Sequence, residues 1–434
     1  MTDTRSLSIV MPTWDGGGSI PPVLTVARKL IARGHRVRVM GEACTEADAR
    51  SAGAEFRQWT RAPSKIARTR EYDFLEEWTA ADPMEGIGRM IDRVMVNAAG
   101  DFARDLIEEL RSDPADLVLT SDMLPGTIMA CELLGQRVAI LTCNVCLFPF
   151  IPGIPPLGPG LPPAETAEDE ALHAEIAAQT EAWLDSRLPR LNEERASFGL
   201  PPVARFLDQL LRVEQHLLGT AQAFDFPTDD LPDNFRYVGP QLDDAQWSAP
   251  FVHPFPDDER PFALVSFSTT FQDHAAILQR TIDAIAQLPM TALVTRGGVI
   301  REDELRGAPN VAIVDSAPHS DVLRHAQLLV THGGHGTLMK GVWAGLPMLV
   351  VPHGRDQEDN AVRVTHRGAG LKVAKSAAMD EIADALSHLL FEPGFAAAAA
   401  DLGRKVREET ARTDVVSEIE RIAARTCVRM FKTA

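Results

Sequence analysis

The densest chemistry in the chain lies between Leu328 and Asn360, LLVTHGGHGTLMKGVWAGLPMLVVPHGRDQEDN. Leu328 to Thr331 reads as a buried strand that breaks at His332-Gly333-Gly334-His335-Gly336-Thr337. A helix through Leu338–Ala344 and a second apolar strand, Pro347 to Val351, follow. A strand that turns through glycines into a helix start points backbone N–H groups at an anion, and the helix dipole adds about half a positive charge there. Past the second strand, Asp356-Gln357 is a short pair able to accept and donate hydrogen bonds to the hydroxyls of a sugar. Phosphate cradle and sugar clamp are about two dozen residues apart, each at the carboxyl end of a strand, where open α/β sheets bind ligands.

Holding two such groups requires alternating strands and helices. Leu7 to Met11 reads as a strand, Trp14-Asp15-Gly16-Gly17-Gly18-Ser19 as a loop, and the stretch from Pro21 and Pro22 to Arg33 as a helix ended by Gly34, with Val37–Met40 the next strand. A dinucleotide fingerprint does not fit, because Pro21 stands where the third glycine belongs. Ala54–Phe56, a long helix from Gly86 to Leu110, a strand ending at Thr120 before Ser121-Asp122, helix 125–134, Val138–Leu141 and Leu217–Thr220 complete a first unit. Within it, Phe148 to Pro163 is too rich in proline for helix or central strand and reads as a semi-rigid loop near the ligand face, lining an apolar pocket. Acidic helical stretches from Glu165 to Ser197 extend that loop as a lid. After a polar connector the pattern restarts at Ala263–Phe267, with helix 273–287, strands Thr291–Thr295 and Val311–Val314, and the segment quoted above. The fold class is α/β, with parallel sheets covered by helices on both faces. The boundaries are an N-terminal domain at 1–238, a linker at 239–261, a second domain at 262–410 and a closing helical segment at 411–434.

At 434 residues, 45% hydrophobic and 24% charged, the chain suits two globular domains. A net charge of −18 argues against nucleic acid or an anionic membrane as partner. Five cysteines make no disulfide framework, and the Cys143/Cys146 pair reads as buried reduced thiols. No apolar run reaches the ~18 residues of a spanning helix, and no leader precedes the first strand, so a cytoplasmic protein without membrane insertion is expected. No sequence feature sets an oligomeric state.

The Leu328–Asn360 segment resembles the nucleotide-sugar signature of family 1 glycosyltransferases, the UDP/dTDP-sugar-dependent enzymes of bacterial natural-product type, and the resemblance covers nearly the whole chain. It implies the GT-B architecture: two facing Rossmann-like domains, with a last helix crossing back to the first. By the same resemblance His332 holds a phosphate of the sugar donor, Gly334, Gly336 and Thr337 offer amides and a hydroxyl, and Asp356 and Gln357 hold the hexose. Ala317-Pro318-His319 resembles the part facing the base, although Ser316 stands where an aromatic is common two residues before that proline. His335 is a structural or supporting neighbour, and Ser268, Thr269 and Arg296 are further sugar-donor-binding candidates. His353 reads as a loop histidine, with the acceptor side as its other placement.

The implied reaction is inverting transfer of a hexose from a nucleoside diphosphate to a small, largely apolar acceptor such as a phenolic or polyketide natural product. UDP-glucose is favoured and a dTDP-sugar is the other choice. Neither a cofactor nor a metal is expected, since no Asp-x-Asp occurs and His332 and His335 belong to the phosphate turn. The chief departure is Ser19, where most relatives carry the histidine that deprotonates the acceptor; His35, at the opposite end of its unit, is no substitute. Asp122, whose equivalent partners that histidine, becomes the leading base if burial raises its pKa. Asp15 and a relay through Ser19 stay open. A catalytically silent nucleotide-sugar-binding homologue and a nucleotide-sugar 2-epimerase are the competing readings.

Overall fold

The computed structural model describes residues 5–244 and 250–424. Part of the expected linker, 245–249, and the end of the expected closing segment, 425–434, lie outside the described residues. Short runs of Val, Ile and Leu with no polar face are at home in parallel strands buried on both sides. Seven strands form the first sheet: β1 (Ser8–Pro12), β2 (Arg36–Gly41), β3 (Glu55–Gln58), β4 (Leu117–Thr120), β5 (Val138–Thr142), β6 (Gln215–Leu218) and β7 (Phe235–Tyr237), in the order β3-β2-β1-β4-β5-β6-β7. Six form the second: β8 (Phe262–Ser266), β9 (Thr291–Thr295), β10 (Val311–Val314), β11 (Leu328–Thr331), β12 (Met348–Val350) and β13 (Gly370–Lys372), in the order β10-β9-β8-β11-β12-β13. Every strand pairing within the two sheets is parallel.

In each sheet the strand order reverses beside the first strand, at β1/β4 and at β8/β11. The crevice outside the carboxyl ends of the strands at such a reversal is where this topology binds ligands. Here β1 and β4 end in the Trp14–Ser19 loop and Ser121-Asp122, while β8 and β11 end in Ser266–Thr270 and the glycine turn. The two reversal points face each other across one cleft.

Three expected elements differ. The first sheet ends not at the strand after Leu217 but at β7, a three-residue strand next to Gly239-Pro240. The long helix is interrupted: Pro83–Met90, capped by Asp82 accepting from the Glu85 amide, widens into a π-helical turn over Ile91–Val96 before Ala99–Ser112. The Asn97 amide there reaches back five residues to the Asp92 carbonyl, 2.8 Å, a widening that recurs at functional sites. The helix after the glycine turn starts at His335, three residues before the expected Leu338.

The last described helix, Val415–Ala424, packs Val415, Val416, Ile419 and Ile422 into the core formed by β1 and the helix Ile20–Ala32. His35 anchors it, with Nε2 at 2.9 Å from Glu420 while Nδ1 accepts from the Leu7 amide. Two further contacts tie the domains together. Val145, Ala221 and Phe224 join the core under the helix His335–Ala344. The proline-rich loop docks on the second domain, where the Gly158 and Gly160 amides donate to the Asp359 carboxylate at 2.9 and 3.1 Å.

Candidate active site

Gly333 lets the chain leave β11 with φ at +94°, and Gly334, at the helix N-cap, brings it back to φ −60° and ψ 130°. The first turn of the helix therefore offers the amides of His335, Gly336 and Thr337 without intrahelical partners. His332 packs over this turn. A Cβ added at Gly334 would stand 2.5 Å from its Nε2, so space rather than dihedral freedom demands glycine there. Burial, then the neighbouring His274, His353 and Arg355, holds the His332 pKa well below the ordinary histidine value. The ring is neutral at pH 7 and its buried Nδ1 has no partner. Gly334→Ala should leave the backbone intact yet push the imidazole aside. The expected cost is about 1–3 kcal/mol of stability, the range for overpacking, with weaker UDP binding read by calorimetric titration.

His335, also buried, lies with its ring centroid 6.5 Å from that of Phe224, and its pKa falls to about 4 through burial. Ser268 is closed into its own loop, with Oγ 2.8 Å from the Thr270 hydroxyl. His319 packs its Nε2 3.2 Å from Ser266 Oγ, and burial takes its pKa to about 4.

The expected sugar clamp is divided. Asp356 is the N-cap of the helix Gln357–His366; its Oδ2 accepts from Asn360 at 2.6 Å, and Asn144 of the first domain also bonds its side chain. Burial raises its pKa. Gln357, by contrast, is spent on its loop: Oε1 accepts from the His353 and Gly354 amides at 2.7 and 3.2 Å, and Nε2 donates to Gln272 at 3.0 Å. The expected free pair is thus one carboxylate beside a glutamine already engaged. His353 serves the same loop, Nδ1 lying 2.8 Å from the Val351 carbonyl, and it stands apart from the acceptor side.

One cavity of about 510 Å³ runs through the cleft. Its lining includes Ser19, Asp122, Ser268, Thr269, Ala317, His319, His332, Gly334, His335, Gly336, Thr337, Asp356 and Gln357. Three expected residues are not brought there. Arg296 turns its guanidinium to the Asp315 carboxylate, and Pro318 serves as N-cap of the short helix His319–Leu323. Asp15 is buried against cations, with Arg68 Nε at 2.8 Å, and also accepts from the Gly17 amide at 3.0 Å. Burial alone would raise the Asp15 pKa, but Lys65 and Arg68 outweigh it and hold it below its ordinary value, which makes it a poor proton acceptor. Asp15 organises the loop instead of facing the cleft.

Asp122 has the opposite surroundings. Burial raises its pKa, only partly offset by hydrogen bonds from Ser121 Oγ at 3.0 Å and Thr142 Oγ1 at 3.4 Å. Ser19 donates its hydroxyl to the Trp14 carbonyl at 2.9 Å, and no hydrogen bond joins it to Asp122. The cavity around them is apolar, walled by Trp14, Met90 and Met95, and by Phe148, Pro149 and Leu157 of the proline-rich loop. Of the acidic helices, Ala167–Asp185 contributes Leu184 to that wall.

Sequence reasoning missed Asn144, Asp244, Lys340 and Arg355, all on the cavity wall. Asn144 stands just past the carboxyl end of β5, where strand position alone could have found it. Lys340 pairs with Asp244, and Arg355 with Glu77 of the first domain, through partners distant in sequence. Among the described residues, no group of three or more His, Cys, Asp or Glu is arranged to hold a metal ion, and no helix is long and apolar enough to cross a membrane. Cys143 and Cys146 are free thiols whose pKa values burial raises, Cys146 to about 12.

A family model described as erythromycin biosynthesis protein CIII-like, C-terminal domain, matches residues 279–422. The chain is 27% identical over 422 residues to 4'-demethylrebeccamycin synthase of Lentzea aerocolonigenes, covering 95% of this chain and 98% of that protein. Among solved structures, the kitacinnamycin glycosyltransferase superposes with a TM-score of 0.76 at 21% identity, covering 96% of this chain and 99% of the other. The glycosyltransferase VinC, solved with dTDP, superposes with a TM-score of 0.61 at 19% identity, covering 96% and 99%. The sheet pair, the returning helix and these matches agree: the chain has the GT-B fold, its residues 279–422 match the erythromycin biosynthesis protein CIII-like C-terminal domain, and over nearly its whole length it is similar to bacterial natural-product glycosyltransferases.

Proposed function

We propose that the protein transfers a hexose, with inversion, from a nucleoside-diphosphate sugar to a small, largely apolar natural-product acceptor. The observation that carries this reading is a single cavity in which a carboxylate with a raised pKa, set in an apolar wall, shares space with a helix N-terminus and Asp356. Asp122 removes the proton of an acceptor hydroxyl as its oxygen bonds to the anomeric carbon. The bond from that carbon to the diphosphate oxygen breaks, and the leaving charge falls on the amides of His335, Gly336 and Thr337 and the imidazole of His332. Preorganised N–H groups aimed at developing charge are worth about 3–4 kcal/mol each in acyl-transfer sites, and the same electrostatics applies here. This arrangement needs no metal or cofactor. Asp356, with Gln357 beside it, orients the hexose. A phenolic acceptor suits a carboxylate base, since the phenol needs little driving force for proton transfer.

UDP-glucose is the favoured donor, in keeping with a clamp for a sugar with free hydroxyls. A dTDP-sugar is the alternative, supported by the VinC complex and by Ser316 in place of a base-stacking aromatic. A cytoplasmic enzyme is expected. The test is incubation of UDP-glucose and dTDP-glucose, separately, with a panel of phenolic acceptors, followed by product mass and anomeric configuration. An acceptor heavier by one hexose, β-linked from an α-linked donor, is the expected result. Nucleotide sugar that binds and returns unchanged would sink the reading in favour of a silent homologue, and its conversion to an epimer would favour the epimerase.

A further inference from the structure

The cleft is crossed at its sugar end by a run of hydrogen bonds from Gln357 through Gln272 and Glu77 to Arg355, made into a ring by the backbone between Arg355 and Gln357. Arg355, just before Asp356, holds Glu77 of the first domain in a two-pronged ion pair, with Nη2 to Oε1 at 2.5 Å and Nε to both carboxylate oxygens at 3.1 Å. Its Nη1 donates to the Gly16 carbonyl, 2.8 Å, in the loop that ends at Ser19. Gln272 donates to Glu77 Oε2 at 3.1 Å and accepts from Gln357 at 3.0 Å. The segment carrying Glu77 is seated independently, Trp78 packing edge-on against Phe271 of the second domain at 5.6 Å. Both partners of the ion pair are largely shielded, at 17% and 11% side-chain exposure, where a two-pronged arginine–carboxylate pair is strong. Arg355 also adopts φ +55°, a conformation disfavoured for any residue with a Cβ, so its contacts hold the backbone where glycine would rest unaided.

We infer that Glu77 and Arg355 are positioning residues that couple hexose capture to closure of the acceptor loop. This rests on the sugar-transfer reading above. The ring includes Gln357, so a hexose settling on Asp356 touches the ring directly, and the ring ends on the loop that shapes the acceptor side. Binding energy from the sugar is thereby passed to the element facing the acceptor. The nucleotide and its phosphates lie on the glycine turn, outside the ring.

Calorimetric titration of UDP and UDP-glucose, and of dTDP and dTDP-glucose, into wild type, Glu77→Gln, Arg355→Gly and the double variant tests this. Arg355→Gly relaxes the backbone, so loss of folding is not its expected effect, and thermal unfolding checks that. Each single variant should weaken the sugar nucleotide about tenfold and the bare nucleotide less than about twofold, with the double no weaker than the weaker single, as expected for one coupled unit. Equal losses for nucleotide and sugar nucleotide would make Arg355 a phosphate or fold residue and overturn the inference, as would additive losses or none. Wild type that binds neither sugar nucleotide overturns the parent reading and this inference with it. Wild type that binds one, with unchanged variants, overturns this inference alone.

Discussion

Asp122→Asn should lose at least about a hundredfold in kcat while UDP-glucose binding stays within about twofold, because a general base contributes on the order of 10²–10⁴ and the proposed mechanism puts Asp122 on the acceptor side. The asparagine keeps the hydrogen bonds of Ser121 and Thr142 within reach but cannot take a proton. The pH dependence carries the same signature. Since burial raises the Asp122 pKa above its usual 3.8, the wild-type rate should fall on acidification through that raised value, and the variant should lack this limb. Stability moves the other way. A carboxyl whose folded pKa exceeds its unfolded one burdens the fold above the raised pKa, and the burden disappears below the unfolded value. Asp122→Asn should therefore melt no lower than wild type at pH 7, and a clear drop in melting temperature would reassign Asp122 to a structural role. A rate equal to wild type would send the search for the base to water held by Ser19.

Arg363→Ala should be among the most destabilising single changes in the chain. Its guanidinium meets Asp225 Oδ1 twice at 2.8 Å and the Asp359 carbonyl at 2.7 Å, with side-chain exposures of 1% and 0% for the pair. Asp225 Oδ2 also accepts from the Cys146 amide at 2.7 Å and the Tyr237 hydroxyl at 3.1 Å. Truncating Arg363 leaves that carboxylate buried without its cation, at a cost of about 3–5 kcal/mol, measurable as a fall in the urea midpoint. The same helix begins at Gln357, so residual activity should show a raised KM for the sugar nucleotide. Replacing the whole pair, Asp225→Leu with Arg363→Met, should recover part of the loss. Recovery stays incomplete because Cys146 and Tyr237 then lack their acceptor.

Where local pattern alone decides structure, the sequence was readable to the residue. Strands Thr291–Thr295, Val311–Val314 and Leu328–Thr331 and helix 125–134 are bounded by glycine, proline and polar turns and stand where expected. The π-helical turn at Ile91–Val96 left no mark, since one extra residue in a turn scarcely alters the apolar periodicity. The early start at His335 was missed because three glycines in five residues look like pure turn. Gly333 alone needs the left-handed conformation, while Gly334 is there for lack of a side chain. At the site, strand ends located Asp122, His332 and Asp356 because topology places them. The partners of Asp15, Arg296 and Gln357 were hidden for another reason: Arg68, Asp315 and Gln272 claim their side chains, and such pairings leave no trace in spacing.

The pinning of Gly158 and Gly160 on Asp359 bears on how such enzymes can be recombined. Acceptor preference would ordinarily be treated as property of the first domain and sugar preference as property of the second, so that a cut in the connector exchanges one without the other. In this chain the proline-rich wall of the cleft is moored to the helix that begins just after Asp356, the carboxylate proposed to hold the hexose. A hybrid receiving a foreign second domain would inherit the proline-rich loop without its mooring post, and its choice of acceptor should drift even though every pocket residue of the first domain is unchanged. Transplanting Asp359 together with its helix is the smallest graft that keeps the two preferences separable.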